Sequence, residues 1–360
     1  MTVPIYTKRR LFATLFTLLL LLLLGLGVSE AALRIFFPQP LGVSYTGAGE
    51  LPIHTPDYDF HYMTDEFDIH THFNSMGLRD REYASKKPPH TYRILVLGDS
   101  ITEALQVEDR EVYTEILEAS LNTPASATRY EVINAGVSGY GAGDELKMYE
   151  LLGASLDPDL VVVQVSLIND LSEDLFCRWY RVEDGRIFPI EEASGGPESR
   201  FEEFLGRHSH VAQILRHGFY VYFGKKSKRL KGIAAHKEKY HAFLYAGRGS
   251  EADFSSDWKV TFAYLEELHE RVTQSGARFL LLIRPLDPDV QGLRKSEYPR
   301  NLIRAFCEER GIEILDLTPA FAEKSGGDIS RVRFKKDSHW IPQAHRWAAE
   351  SLYERVQGSL

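Results

Sequence analysis

Hydrophobic and polar positions fall into three regimes along the chain. From Leu11 to Ser29 nineteen residues carry no charge, and Leu18–Leu24 is an unbroken leucine run. At about 1.5 Å per helical residue this stretch reaches roughly 28 Å, close to the ~30 Å hydrocarbon core of a bilayer. From Arg34 to about Pro89 no sustained period appears, only scattered His, Pro and Tyr, which reads as a membrane-proximal extension. From Tyr92 onward short β-branched runs alternate with helical patterns. Arg93–Leu97, Glu131–Ile133, Leu160–Ser166, Arg278–Ile283 and Ile312–Leu315 are apolar on both faces, as buried parallel strands should be. Val112, Ile116, Leu117 and Leu121, then Leu146, Tyr149 and Leu152, recur at helical spacing. The pattern predicts a doubly wound α/β domain with helices on both faces of a parallel sheet.

One stretch breaks the rhythm. Cys177 to about Ser256 inserts some eighty residues between the third and fourth strands. It carries a turn-rich patch at Ser194–Ser199, an aromatic run at Phe219–Phe223, and then Lys225, Lys226, Lys228, Arg229 and Lys231, read as the solvated face of a helix. The predicted organisation is residues 1–33 as a cytoplasmic N-terminus and transmembrane signal anchor, 34–89 as the extension, and 90–360 as the α/β domain with its insertion at about 177–256.

The flanking charges orient the anchor. Lys8, Arg9 and Arg10 precede the apolar run and Glu30 follows it, so the positive-inside bias places the N-terminus in the cytoplasm and the rest in the periplasm or outside the cell. A cleaved signal peptide is the alternative, but its apolar region is usually shorter, and Val28–Arg34 offers a poor small-residue cleavage site. Such a compartment permits a Cys177–Cys307 disulfide; two unpaired buried thiols fit the sequence equally well. With two cysteines there is neither a disulfide scaffold nor a four-thiolate zinc site. A net charge of −9 argues against a nucleic-acid partner, whose binding rests on neutralising phosphates.

In open α/β sheets ligands bind beyond the carboxyl ends of the strands, so the residues after each strand carry the chemistry. After the first stands Gly98-Asp99-Ser100-Ile101-Thr102; after the second, Asn134-Ala-Gly136-Val-Ser-Gly139-Tyr-Gly141-Ala-Gly143; after the third, Asn169-Asp170; and near the C-terminus, Asp337-Ser-His339-Trp340. Ser100 supplies a nucleophilic hydroxyl, His339 an imidazole to take its proton, and Asp337 a carboxylate to orient the imidazole. The backbone N–H of Ser100, one from the glycine loop and the Asn169 carboxamide are candidate donors to an oxyanion. The glycines do not fit a dinucleotide loop, because Asp144 occupies the place of its last glycine, and Thr102 excludes a Gly-x-Ser-x-Gly elbow.

These four blocks in this order resemble the SGNH superfamily of GDSL-type esterases and lipases. The resemblance spans about Tyr92 to Leu352 less the insertion, and Asn74-Ser-Met-Gly-Leu-Arg79 looks like the lead-in of a membrane-anchored bacterial branch. It implies a flavodoxin-like sheet, Ser100 as nucleophile, Asp337 and His339 as its partners, and Ser100, Gly139 and Asn169 as the oxyanion hole. The chain departs from the family pattern in having Leu167 where a glycine is usual, Asp-x-His in place of Asp-x-x-His, and Ile341-Pro342-Gln343-Ala344 after the tryptophan.

The resemblance implies a carboxylic-ester hydrolase that removes acyl groups, O-acetyl among them, from an acylated envelope carbohydrate or lipid ester. An O-acetyltransferase with the same triad and a lapsed binding component are the alternatives. No cofactor is expected, and this chemistry requires no metal. His54, His61, His70 and His72 invite a metal reading, His70 and His72 lying on one side of a strand, but they are taken as ordinary solvated or packed histidines. His345 is read as packing or helix surface, and Asp99 and Asp170 as helix caps or loop braces.

Overall fold

A computed structural model of the chain describes residues 5–37, 45–46, 51–124, 126, 128–190, 209–219, 228–292 and 297–358. The chain divides into two compact units, one of residues 1–44 with 198–226, the other of 45–197 with 227–360.

In the first unit, helix α1 runs Ile5–Phe36. Its segment Arg9–Phe36 is long and apolar enough to cross a membrane, with a mean hydropathy of 2.6, a test that a signal sequence also passes. Near its end Glu30 accepts hydrogen bonds from the Ser209 hydroxyl and the backbone N–H groups of His210 and Val211. The carboxylate thereby satisfies the free donors at the start of the helix His210–Phe219.

The second unit is built on a five-stranded parallel sheet: β1 (Thr91–Gly98), β2 (Arg129–Gly136), β3 (Leu160–Val165), β4 (Arg278–Ile283) and β5 (Glu313–Asp316). Their spatial order is β5-β4-β3-β1-β2, the flavodoxin-like doubly wound order 2-1-3-4-5. Successive residues point to opposite faces and are buried on both, which is why these strands read as continuous apolar runs. Leu95, Leu97, Val161, Val163 and Leu281 pack on one side against α4 (Ala142–Leu151), α6 (Ser255–Gln274) and α7 (Glu297–Arg310). Ile94, Val96, Val132, Val162 and Leu280 pack on the other against α3 (Tyr113–Leu121) and α8 (Pro342–Gln357). The sheet reverses its winding between β1 and β3, which leaves a crevice outside their carboxyl ends. α2 (Ser100–Glu103) begins there after β1, and α5 (Asp170–Asp174) after β3.

The stretch before β1 is more ordered than its composition suggests, and from Tyr45 it belongs to the same compact unit as the sheet. Tyr58–Met63 and Asp68–Phe73 form an antiparallel hairpin that buries Phe60, Ile69 and Phe73 on one face and exposes its histidines on the other. The alternation is present in the sequence, but histidines at the exposed places blur its polar half. Within the insertion, Tyr180–Glu183 pairs with Arg186–Pro189, and Lys228–Ala246 is helical with Lys231 exposed. The turn-rich patch, Tyr220–Phe223, Lys225 and Lys226 lie outside the described residues. Cys177 and Cys307 are both free thiols, each pushed up to about 12 by burial.

Candidate active site

The turn that carries Ser100 is shaped by its neighbours. A Cβ on Gly98 would lie 2.2 Å from the Thr102 hydroxyl oxygen, so only glycine lets β1 end against α2. Thr102 is in turn fixed by Tyr113 at 2.8 Å and Gln164 at 3.1 Å. Asp99 caps α2 by accepting the Ile101 backbone N–H at 2.9 Å, which sets Ser100 at the first helical position.

Across the crevice His339 Nε2 lies 2.7 Å from Ser100 Oγ, and His339 Nδ1 lies 2.5 Å from Asp337 Oδ1. The same Asp337 oxygen accepts the His339 backbone N–H at 2.8 Å, a bond that the Asp-x-His spacing makes local. Burial raises the Asp337 pKa, but the hydrogen bonds from the His339 ring and backbone outweigh it and hold the carboxyl below its ordinary range. Asp337 is therefore an anion able to fix the imidazole tautomer and stabilise an imidazolium.

The three expected oxyanion donors border the same turn. Asn169 follows β3, and its amide donates to Asp99 Oδ2 at 3.3 Å, which orients it beside Ser100. Gly139 follows β2 with φ of +83°, a left-handed conformation that a side chain would strain. The backbone N–H groups of Ser100 and Gly139 take no acceptor among the described residues, as donors reserved for a ligand would. Asp170 braces its loop by accepting the Ser166 N–H at 2.8 Å.

Four residues to which the sequence reading gave no role hold this arrangement in place. Glu66, at the hairpin turn, accepts the backbone N–H groups of Lys335 and Lys336 at 2.8 Å each and of Asp337 at 3.0 Å, so one carboxylate clasps the loop carrying the Asp/His pair. Beside it Lys336 is paired with Asp65. Arg284, after β4, donates to Ser166 Oγ at 3.2 Å and to the Ser338 carbonyl at 3.4 Å, spanning the β3 end and that loop. Buried Arg79 donates to the carbonyls of Glu103 and Ala104, capping α2, and to Asp109 at 2.8 Å. This gives the Asn74–Arg79 lead-in a physical role, with Asn74 Oδ1 folding the turn through the Met76 and Leu78 N–H groups.

Fully buried Glu103 is the fourth. It bonds His54 on one oxygen and Ser138 on the other, joining α2 to the Gly139 loop. Burial raises its pKa, but the His54 charge and these hydrogen bonds override that and hold the carboxyl low. No sequence signal marks these partners, because they lie up to hundreds of positions away and several are plain backbone groups. His54 is thus packed, stacked on Phe73 with ring centroids 3.9 Å apart. His345 is buried against Tyr113 and Trp340, and burial, helped by the nearby charges of Arg79 and His339, pushes its pKa down to about 3.

No family model and no curated protein matches the chain. Among solved structures it is similar to TesA, at 18% identity over 74% of this chain and 99% of that one, with a TM-score of 0.43. It is also similar to the acetyl xylan esterase AlAXEase, at 16% identity over 73% and 99% of the two chains with a TM-score of 0.43. A third is a lipolytic G-D-S-L family member from Veillonella parvula, at 13% identity over 74% and 98% with a TM-score of 0.40.

Proposed function

We propose that the chain is a membrane-anchored serine esterase that removes acyl groups from an acylated carbohydrate or lipid ester through an acyl-Ser100 intermediate. The observation that carries this reading is the continuous relay Ser100–His339–Asp337 at the point where the sheet reverses its winding. Ser100 Oγ attacks the ester carbonyl carbon while His339 Nε2 takes the hydroxyl proton. The oxyanion is received by the N–H groups of Ser100 and Gly139 and the Asn169 amide. Collapse of the tetrahedral intermediate breaks the ester C–O bond, His339 returns the proton to the departing alcohol, and acyl-Ser100 remains. Water, deprotonated by His339, attacks that ester, releases the carboxylic acid and restores Ser100.

The apolar helix α1 supplies the anchor, with Lys8–Arg10 on the cytoplasmic side and the domain from about residue 90 outside. An outward-facing ester hydrolase anchored in the membrane suits O-acetyl groups on envelope glycan as substrate.

The test compares the full chain with its Ser100→Ala variant on p-nitrophenyl acetate and on O-acetylated oligosaccharide, following p-nitrophenol and acetate. Ester cleavage that drops at least about 10³-fold in the variant is expected. Equal rates in the two proteins would refute Ser100 as nucleophile. Adding an unacetylated oligosaccharide and looking for its acetylated mass distinguishes hydrolysis from transfer, and hydrolysis is the expected outcome.

A further inference from the structure

The hairpin before the sheet has an outer face that the hydrolytic chemistry does not use. Its register places His61 opposite His70, Asp59 opposite His72 and Met63 opposite Asp68. Because side chains alternate along a strand, all six project on one side, and all six are exposed. Phe60, Ile69 and Phe73, on the other side, are buried and fix which way the hairpin faces.

At the centre of that face the rings of His61 and His70 stack with centroids 3.8 Å apart. Asp68 Oδ1 lies 2.5 Å from His61 Nε2. Ligand atoms of His61, Asp68 and His70 all lie within 4.8 Å of one another, the one such group of three among the described residues. Around a tetrahedral zinc ion, bonds of roughly 2.0–2.2 Å put ligand atoms roughly 3.4 Å apart, so small side-chain rotations bring these atoms into range. Cross-strand and i,i+2 positions converge in this way without any movement of the backbone. Two imidazoles and a carboxylate select a borderline divalent ion such as zinc over magnesium or calcium, which take oxygen ligands.

We propose that His61, Asp68 and His70 form a zinc site on the outer face of the hairpin, with water completing the coordination. The ion joins the two strands on either side of the turn that carries Glu66. It thereby clips together the element that holds the backbone of Lys335, Lys336 and Asp337, and it takes no part in ester cleavage.

The test uses the full chain in detergent, stripped with chelator, and titrated with Zn²⁺ in competition with a chromophoric chelator. One equivalent of zinc is expected to bind saturably, with Co²⁺ at the same site giving the visible absorption of a four-coordinate N/O complex. His61→Asn with His70→Asn should weaken zinc binding at least about 100-fold and Asp68→Asn about 10-fold, while the exposed His241→Asn control leaves it unchanged. Zinc should raise the melting temperature of the wild type and leave that of the double variant unmoved, and a cooperative melt of the double variant shows that it folds. The proposal is overturned if no saturable binding occurs below about 100 µM Zn²⁺, if the double variant binds as tightly as wild type, or if excess Mg²⁺ displaces the metal.

Discussion

Glu66 is the most informative position to perturb, because it touches neither Ser100 nor His339 and acts only through the loop that presents them. Its carboxylate receives three backbone N–H groups, from Lys335, Lys336 and Asp337, at 2.8, 2.8 and 3.0 Å. A hydrogen bond to a charged group contributes about 1.5–3 kcal/mol, less where water competes as it does here, so the three together are worth on the order of 3 kcal/mol. The loop keeps other ties after Glu66→Ala. Arg333 still pairs with Asp287 at 2.7 Å, Arg284 still reaches the Ser338 carbonyl, and Arg333 and Trp340 still form a β-bridge. About half of the lost energy, about 1.5 kcal/mol, should therefore appear as misplacement of the Asp337–His339 pair, which corresponds to a roughly 10-fold loss of kcat. KM should change little. Glu66→Gln should lose less, since its amide oxygen can keep the N–H groups of Lys336 and Asp337 while its nitrogen faces only that of Lys335.

The assay is ester hydrolysis by wild type, Glu66→Ala, Asp337→Asn and the double variant, with circular dichroism melts to show that each is folded. If Glu66 acts through Asp337, the double variant should be no slower than Asp337→Asn alone. Losses that simply multiply, or a Glu66→Ala enzyme within twofold of wild type, would refute the reasoning.

Asn169→Ala should lower kcat by about 10²–10³-fold with little effect on KM, measured on the same ester, as expected for a donor that strengthens its bond only as the oxyanion forms. Arg79→Met should lower the melting temperature by several degrees, because it leaves the α2 carbonyls uncapped and removes the guanidinium paired with Asp109. Burial of Asp174 pushes its pKa up to about 7 from 3.8, so the folded state holds a proton that the unfolded chain has released. Its contribution is complete below about pH 4 and disappears as pH rises to about 7, on the order of 4 kcal/mol at most. Asp174→Asn should flatten that decline, visible as a melting temperature that gains on wild type between pH 5 and pH 8.

The sheet could be read from the chain because parallel strands buried on both faces leave unbroken apolar runs such as Leu160–Val165, and each observed strand lies within three residues of its predicted bounds at either end. Ser100, His339 and Asp337 were legible because their chemistry needs particular residue types placed at strand ends. The choice of Gly139 within its glycine loop came only from blocks that resemble a known family, and Asn169 was legible as a carboxamide at a strand end. The hairpin was not, since its exposed positions carry histidines where a plain polar alternation would have been recognised. Glu66 and Glu103 were not either: they act through contacts with backbone groups and with residues distant in sequence, and nothing local distinguishes them from other charged residues. Arg79 stood out only as the end of the Asn74–Arg79 block, with no role attached to it.

The account's central claim is that Ser100 carries the acyl group, and covalent labelling tests it most directly. The full chain, treated with a fluorophosphonate and digested, should yield one modified peptide, with the adduct on Ser100 and none in the Ser100→Ala variant. Labelling should be much slower in a folded His339→Ala variant, which lacks the imidazole 2.7 Å from the Ser100 hydroxyl. A folded wild-type protein that remains unlabelled, or one labelled at another residue, would contradict the account.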